Sequence, residues 1–246
     1  VPALPQTMLT MPNGDVVVGG AFTSFGGVAA NNLARWNGSV WAPLGLGVDG
    51  PVRSLALATN GDVLVSGGFQ NAGGAPANHI ARWNGTVWAT LGGGLPVDAT
   101  SLAVAPNGDV YATAVGYGLR RFQAGQWSQI TIPGAITPPL SVAVLANGNL
   151  AVGGVFSGSP LSGLAVQGPS GFTVLPNTPV AVQRMLVTRD GTLFAATGQG
   201  LQSWNGTSWT ARGFGGTYAI TEMPDGDILV GSATLLMPGS TTASSL

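Results

Sequence analysis

An all-β chain folded as a β-propeller of four-stranded antiparallel blades is what this sequence predicts, and three observations carry the prediction. First, a turn motif recurs along all 246 residues: Asn13-Gly14-Asp15, Asn60-Gly61-Asp62, Asn107-Gly108-Asp109, Asn147-Gly148-Asn149, Asp190-Gly191-Thr192 and Asp225-Gly226-Asp227, at spacings of 47, 47, 40, 43 and 35. Second, aromatic residues stand five apart in most units, as Trp36 and Trp41, Trp83 and Trp88, Phe122 and Trp127, and Trp204 and Trp209. Third, Gly makes up 40 residues and Pro 17 while 45% of the chain is hydrophobic, so the chain is dense in turns yet rich enough in apolar residues to pack a core.

Each element follows in order. Apolar runs such as "VRSLALA" and "TSLAVAP" precede the first turn, and "DVVVGG", "DVLVSGG" and "NLAVGG" follow it. Asn-Gly and Asp-Gly accept positive φ at the turn centre, so this turn joins strand A to strand B as a hairpin. A second hairpin, C to D, is centred on Asn37-Gly38, Asn84-Gly85, Ala124-Gly125, Ser170-Gly171 or Asn205-Gly206; in the fourth unit Gln167 and Phe172 take the aromatic positions. Strand C carries Leu33, Ile80, Leu119, Leu164 or Leu201 three residues before its aromatic position. An odd separation puts the two on opposite faces of a strand, so both faces of each blade are covered. Four strands buried on both faces and repeated every 35–47 residues make a propeller. The blades run 1–50, 51–97, 98–136, 137–179, 180–215 and a partial 216–246, in one domain. The last aligns "DILVGSATLLMPGSTTASSL" with "DVVVGGAFTSFGGVAANNL", which leaves Leu246 at the start of strand C and predicts an incomplete blade. That incompleteness, and a chain opening on Val1, lead to the expectation of a segment of a longer chain with at least six blades, seven and eight being the alternatives.

"VLVSGGF…NHIARWNGTVWATLG" resembles a kelch repeat, and "NGDVVVGGAFTSFGGVAANNLARWNG" is similar to the Gly-rich delta-60 type of propeller repeat of large exported bacterial proteins. The motif is close over 13–45 and 60–92 and degenerate afterwards. The resemblance implies an exported bacterial propeller. Copper oxidases of the kelch type need Cys, Tyr and His ligands, and three Tyr, one His and no Cys do not supply that set, so no metal and no cofactor is expected.

Composition narrows the partners. Charged residues are only 7%, against an ordinary share of about 25%. All eight basic residues are Arg and the net charge is −1, so no basic stripe follows a phosphate backbone and nucleic acid is not an expected partner. No apolar run reaches the roughly 18 residues of a membrane span. Absence of Cys removes disulfides and thiol chemistry. The low-charge surface, rich in Gly, Ser, Thr, Ala and Asn, favours an extracellular or cell-surface location.

In a propeller the B–C and D–A loops share one face. The B–C loops vary here, long over 20–32, 68–78, 154–163 and 232–245 and short over 116–118 and 198–200. Variable loops on a rigid scaffold are where ligands bind, so a protein or glycan ligand is expected on this face, with edge-covering as the purely structural alternative. The binding candidates are Arg35, Trp36, Asn78, His79, Arg82 and Trp83. The Trp residues fit either an inter-blade core or sugar-stacking platforms. Arg35 and Arg82 fit either blade-edge bonds or a clasp on a ligand hydroxyl or carboxylate. His79, the one His, lies at a strand start beside Asn78, and a general-base role would need an oriented partner. Asp15, Asp62, Asp109 and Asp227 read as turn residues. Asn37, Asn84 and Asn205 match the glycosylation pattern, but hairpin geometry accounts for each Asn-Gly. No catalytic signature stands out. The expected function is therefore that of a non-catalytic extracellular scaffold for adhesion, assembly or ligand binding, with a lectin-like propeller, a non-catalytic domain of a larger exported enzyme and side-by-side self-assembly as alternatives.

Overall fold

In the computed structural model the described residues are 5–132, 139–154, 163–175, 182–197, 200–213, 220–223, 225–230, 234–236 and 243–245. They contain six four-stranded antiparallel sheets, each with its strands in the order A-B-C-D. Blade 1 is Pro5–Thr10, Val16–Gly20, Leu33–Trp36 and Trp41–Pro43; blade 2 is Val52–Leu57, Val63–Gly67, Ile80–Trp83 and Trp88–Thr90. Blade 3 is Ala99–Val104, Val110–Ala114, Gly118–Gln123 and Gln126–Ile130; blade 4 is Ser141–Val144, Leu150–Gly154, Gly163–Gly168 and Gly171–Val174. Blade 5 is Arg184–Val187, Leu193–Thr197, Gly200–Trp204 and Trp209–Gly213; blade 6 is Ile220–Glu222, Ile228–Val230, Thr234–Leu236 and Ala243–Ser245. No helix among the described residues is long and apolar enough to cross a membrane.

The sixth blade corrects the expectation of an incomplete sheet. Thr234–Leu236 pairs with Ile228–Val230, and Ala243–Ser245 pairs with Thr234–Leu236. Strand C therefore begins at Thr234, inside the stretch aligned above with a long B–C loop. Pairing there satisfies backbone groups that an unfilled edge would leave open. Six also replaces the seven- and eight-blade alternatives, because the innermost strands form a closed ring: each strand A touches the next, and Ile220–Glu222 returns to touch Pro5–Thr10. Among the described residues the first and sixth blades are separate sheets, and they meet by packing and a hydroxyl contact. Met8, Val16 and Val18 of blade 1 meet Met223 and Leu229 of blade 6, and the Thr10 and Thr221 hydroxyls lie 3.2 Å apart.

The core lies between blades. Leu33 belongs to the cluster with Val52, Val63 and Val65 of blade 2, whereas Trp36 packs in the cluster facing blade 6. Ile80 and Trp83 divide in the same way, as do Leu119 and Phe122, and Leu201 and Trp204. The three-residue spacing thus sends one side chain to each neighbouring blade. Strand B, enclosed on both sides, is buried along its whole length in blades 1, 2, 4 and 5. Hydroxyls stitch the inner ring: Ser54 Oγ accepts from Leu102 N at 2.9 Å, and Ser101 Oγ accepts from Val142 N at 3.2 Å. Farther out, Trp88 Nε1 donates to Leu44 O at 3.1 Å and Trp127 Nε1 to Leu91 O at 3.0 Å, tying each blade to the one before it.

The B–C loops of blades 1 and 2 carry small hairpins, Ser24–Phe25 with Val28–Ala29 and Asn71–Ala72 with Ala75–Pro76. The first lays Phe25 edge-on against Trp41 at 4.7 Å. The B–C loops expected over 154–163, 198–200 and 232–245 lie wholly or largely outside the described residues.

Candidate functional site

The A strands of all six blades line a central channel of about 280 Å³, with Ser54, Leu55, Leu102, Val142, Arg184 and Met185 among its walls. Its mouth on the B–C/D–A face is built from strand starts and loop ends. Arg53 stands at the bulged start of strand A in blade 2, where the register slips between Val52 and Ser54. Arg184 opens strand A of blade 5, on the opposite side of the ring. Asp98 precedes strand A of blade 3, and His79 precedes strand C of blade 2.

These groups form one network. His79 Nδ1 lies 3.2 Å from Asp98 Oδ1 and 3.2 Å from Gly67 O. Both neighbours are acceptors, so Nδ1 carries a proton, and in the neutral ring Nε2 is then the acceptor. Nε2 faces Gln70 Nε2 at 3.0 Å, and the amide donates to it when the ring is neutral. The ring is buried, at 8% exposure, so its edges are set by these partners. Asp98 Oδ2 accepts from Arg53 Nη2 at 3.3 Å, so one carboxylate bridges the imidazole and a guanidinium. From across the channel Arg184 Nη2 donates to Arg53 O at 3.0 Å, and Nη1 to Gln183 O at 3.1 Å. Burial, and then the positive charge of Arg53, hold the Arg184 guanidinium below the ordinary arginine range. Thr100 completes the rim: its Oγ1 donates to Leu140 O at 3.0 Å, joining blades 3 and 4. Arg53, His79, Asp98 and Thr100 together line an open hollow of about 600 Å³.

Of the six residues singled out from the sequence, only His79 reaches this network. Arg35 forms an ion pair with Asp15 and Arg82 with Asp62, at 3.5 Å for the latter, and both pairs lie at the A–B turn end of their blades. Trp36 stacks obliquely on Trp41 at 5.4 Å and Trp83 on Trp88 at 5.2 Å, all half-buried on their blades. Asn78 Nδ2 donates to Gly93 O at 3.0 Å and braces the D–A loop.

Arg53, Asp98, Gln70 and Arg184 escaped the sequence reading. Their signal was a break in the repeat. At the 47-residue period Arg53 stands between Gln6 and Thr100, His79 replaces Asn32, Asp98 replaces Pro51 and Gln70 replaces Thr23. Counted back from the turn glycine, Arg184 occupies the place of Thr7, Ser54, Ser101 and Ser141. All five departures converge on one mouth.

A closed ring of six blades with a polar mouth defines a β-propeller. Residues 12–38 match the profile of a family described as a domain of unknown function (DUF5122) beta-propeller. No curated protein matches the chain. Among solved structures, virginiamycin B lyase from Staphylococcus aureus is similar with a TM-score of 0.64 at 16% identity, over 99% of this chain and 84% of that one. A streptogramin B lyase gives a TM-score of 0.59 at 12% identity, over 94% of this chain and 75% of that one. The extracellular domain of the one-component system BT4673 from B. thetaiotaomicron gives 0.63 at 13% identity, over 99% of this chain and 36% of that one. The likeness is one of fold. It overturns the expectation of a non-catalytic adhesion, assembly or lectin-like scaffold and the reading of the chain as not an enzyme, because solved propellers of this architecture include lyases. That expectation rested on the lack of a local catalytic motif, and a propeller assembles its site from distant blades.

Proposed function

We propose that this chain is a small-molecule enzyme of the propeller type, working at the B–C/D–A mouth of its channel by proton transfer through His79. The observation that carries this reading is His79 Nδ1 held against the Gly67 carbonyl and beside the Asp98 carboxylate, which puts a proton on Nδ1 and, in the neutral ring, turns the Nε2 lone pair toward the exposed Gln70 amide. A general base needs such an orienting partner. In the reaction, the substrate displaces Gln70 and Nε2 takes a proton from a carbon beside a carbonyl. The electrons of that C–H bond form a C=C bond, the leaving acyloxy group departs with the electrons of its C–O bond as a carboxylate, and the imidazolium returns its proton to water. The fold likeness to lyases supports an elimination of this kind. An extracellular setting is part of the proposal, supported by the low-charge surface and by the likeness to an extracellular domain. So is the kelch-like or delta-60 subclass, supported by "GGF…NHIARWNG".

The test is turnover of virginiamycin B and of β-acyloxy carbonyl compounds, both as esters and as acids bearing a free carboxylate, followed by the absorbance of the new conjugated C=C and by mass. His79→Gln is expected to lower kcat by about 10²–10⁴. Asp98→Asn, which changes a positioning residue, is expected to shift the pH profile of kcat. A His79→Gln variant as active as the wild type rules the reading out.

A further inference from the structure

Two arginines from opposite blades meet at the channel mouth, where Arg184 reaches the Arg53 carbonyl and one carboxylate, Asp98, pairs with Arg53. Asp98 is the carboxylate partner of Arg53, and Arg184 has none among the described residues. A guanidinium presents five N–H donors and no acceptor. Arg184 spends one on Gln183 O and one on Arg53 O. Arg53 spends one on Asp98. The Nε atoms of both are buried without an acceptor. Leaving buried charged donors unsatisfied is costly, and two like charges held together add to that cost. Their mutual repulsion is already felt at Arg184, whose proton affinity is lowered first by burial and then by Arg53. The rest of the hollow's lining, His79, Pro96, Val97, Thr100 and Val115, brings no second carboxylate, and Asp49, beside Gln70, accepts from Gln70 N, Asn71 N and Asn71 Nδ2, so the cluster of Arg53, Arg184 and Asp98 carries a formal +1.

From this we infer that the mouth is an oxyanion site: the substrate carries a carboxylate or phosphate group, clamped between Arg53 and Arg184. The inference rests on the proposed placement of the active site at this mouth and adds the chemical class of the substrate. Planar guanidinium forks suit both anions, which present paired oxygens to paired N–H donors. Arg184 acts twice, as a donor to the anion and as a bar across the channel that keeps the bound head group at the mouth. The anion thus sits beside His79 through the shared Arg53–Asp98 contact, which places the substrate's reacting carbon near the imidazole.

The experiment is a thermal-shift and calorimetric titration of the full chain with inorganic phosphate and, separately, acetate, at constant ionic strength set with chloride. Each anion that binds is expected to raise Tm with concentration, by roughly 2–4 °C once it is well above its Kd. The tighter of the two names the acid group of the substrate. Arg184→Met is expected to abolish the response, and Arg184→Lys, which keeps the charge but loses the fork, to weaken binding at least about tenfold. Arg53→Gln serves as the second variant should Arg184→Met fold poorly, and is expected to lose the response as well. A wild-type chain that responds to neither anion beyond chloride overturns the inference, as does an undiminished response in the folded Arg184 and Arg53 variants. The titration needs no turnover. Its failure therefore leaves the His79 reaction standing, and an active His79→Gln variant overturns the reaction without touching the anion site.

Discussion

Asn78 and His79 both sit in the left-handed region, at φ 49° and 70°. Asn32, at φ 64°, holds the corresponding place in blade 1. The left-handed residue at the His79 position is thus a property of the repeat, whereas Asn31, in the place of Asn78, lies outside that region; at the shared position what changed in blade 2 is the side chain it displays. In blade 1, Asn32 Oδ1 accepts from Phe22 N at 3.0 Å and Nδ2 donates to Val48 O at 2.8 Å. In blade 2 an imidazole stands there instead and turns to Asp98. The pose depends on Gly94, at φ 90°, where a Cβ would run into Asn78 Cβ and the carbonyl oxygens of Ala77 and Asn78. Gly94→Ala is expected to destabilise the chain by about 1–3 kcal/mol in urea unfolding, through both the φ and the clash. A variant with an unchanged midpoint would mean that the D–A loop does not hold Asn78 in this way.

At the scale of the element, the A–B turns explain what the recurrent Arg and Asp residues do. Asn107 Oδ1 accepts from Asp109 N at 3.1 Å, closing the turn, and Arg121 on strand C reaches Asp109 Oδ2 at 2.6 Å. Arg35 with Asp15 and Arg82 with Asp62 repeat the arrangement. These cations clamp strand C to the turn between strands A and B. Burial alone would raise the Asp109 carboxyl, but its bonds from Arg121 and Asn107 outweigh it and hold the group below the ordinary range. Asp49 is lowered likewise: burial opposes, while bonds from Asn71 and Gln70 prevail. Bonds from Thr188 and Thr192 lower Asp190. A depressed carboxylate stabilises the fold above its unfolded value and loses that contribution as it is protonated. Stability is therefore expected to be flat above the ordinary value of 3.8 and to fall as pH drops below it. Urea midpoints between pH 6 and pH 2 would check this, and Asp109→Asn should flatten part of the decline.

The described residues form a ring whose first and last blades meet through packing and a hydroxyl contact rather than a shared sheet. Each blade is a local hairpin meander, yet the first and last meet through the Thr10 and Thr221 hydroxyls, 211 residues apart in sequence. The chain has no Cys, so a crosslink can be introduced there without competing thiols. A Thr10→Cys, Thr221→Cys double variant is expected to form a disulfide on oxidation and to gain about 2–4 kcal/mol, since the bond closes most of the chain into one loop. Thermal unfolding with and without dithiothreitol reads the gain. A pair that stays reduced under oxidising conditions would contradict the closed six-blade ring.

Propeller architecture was legible in the residues because it is written in local and periodic terms. Asn-Gly turns declare hairpins within a few residues, and Leu33 with Trp36, three apart, declares two buried faces before any neighbour is known. The last blade was misjudged because its alignment assumed a long loop, whereas backbone pairing brought Thr234–Leu236 into the sheet directly after strand B. The candidate site was legible only at His79. Arg53, Asp98 and Arg184 lie in three different blades, and Arg184 contacts the Arg53 carbonyl across 131 residues of chain. Sequence by itself determined the strands of the first five blades, their turns and the faces they bury, since each depends on a residue and its near neighbours. Tertiary structure alone decided the number of blades in the ring and which charges meet at its mouth, because ring closure brings together residues whose separation along the chain carries no periodic signal.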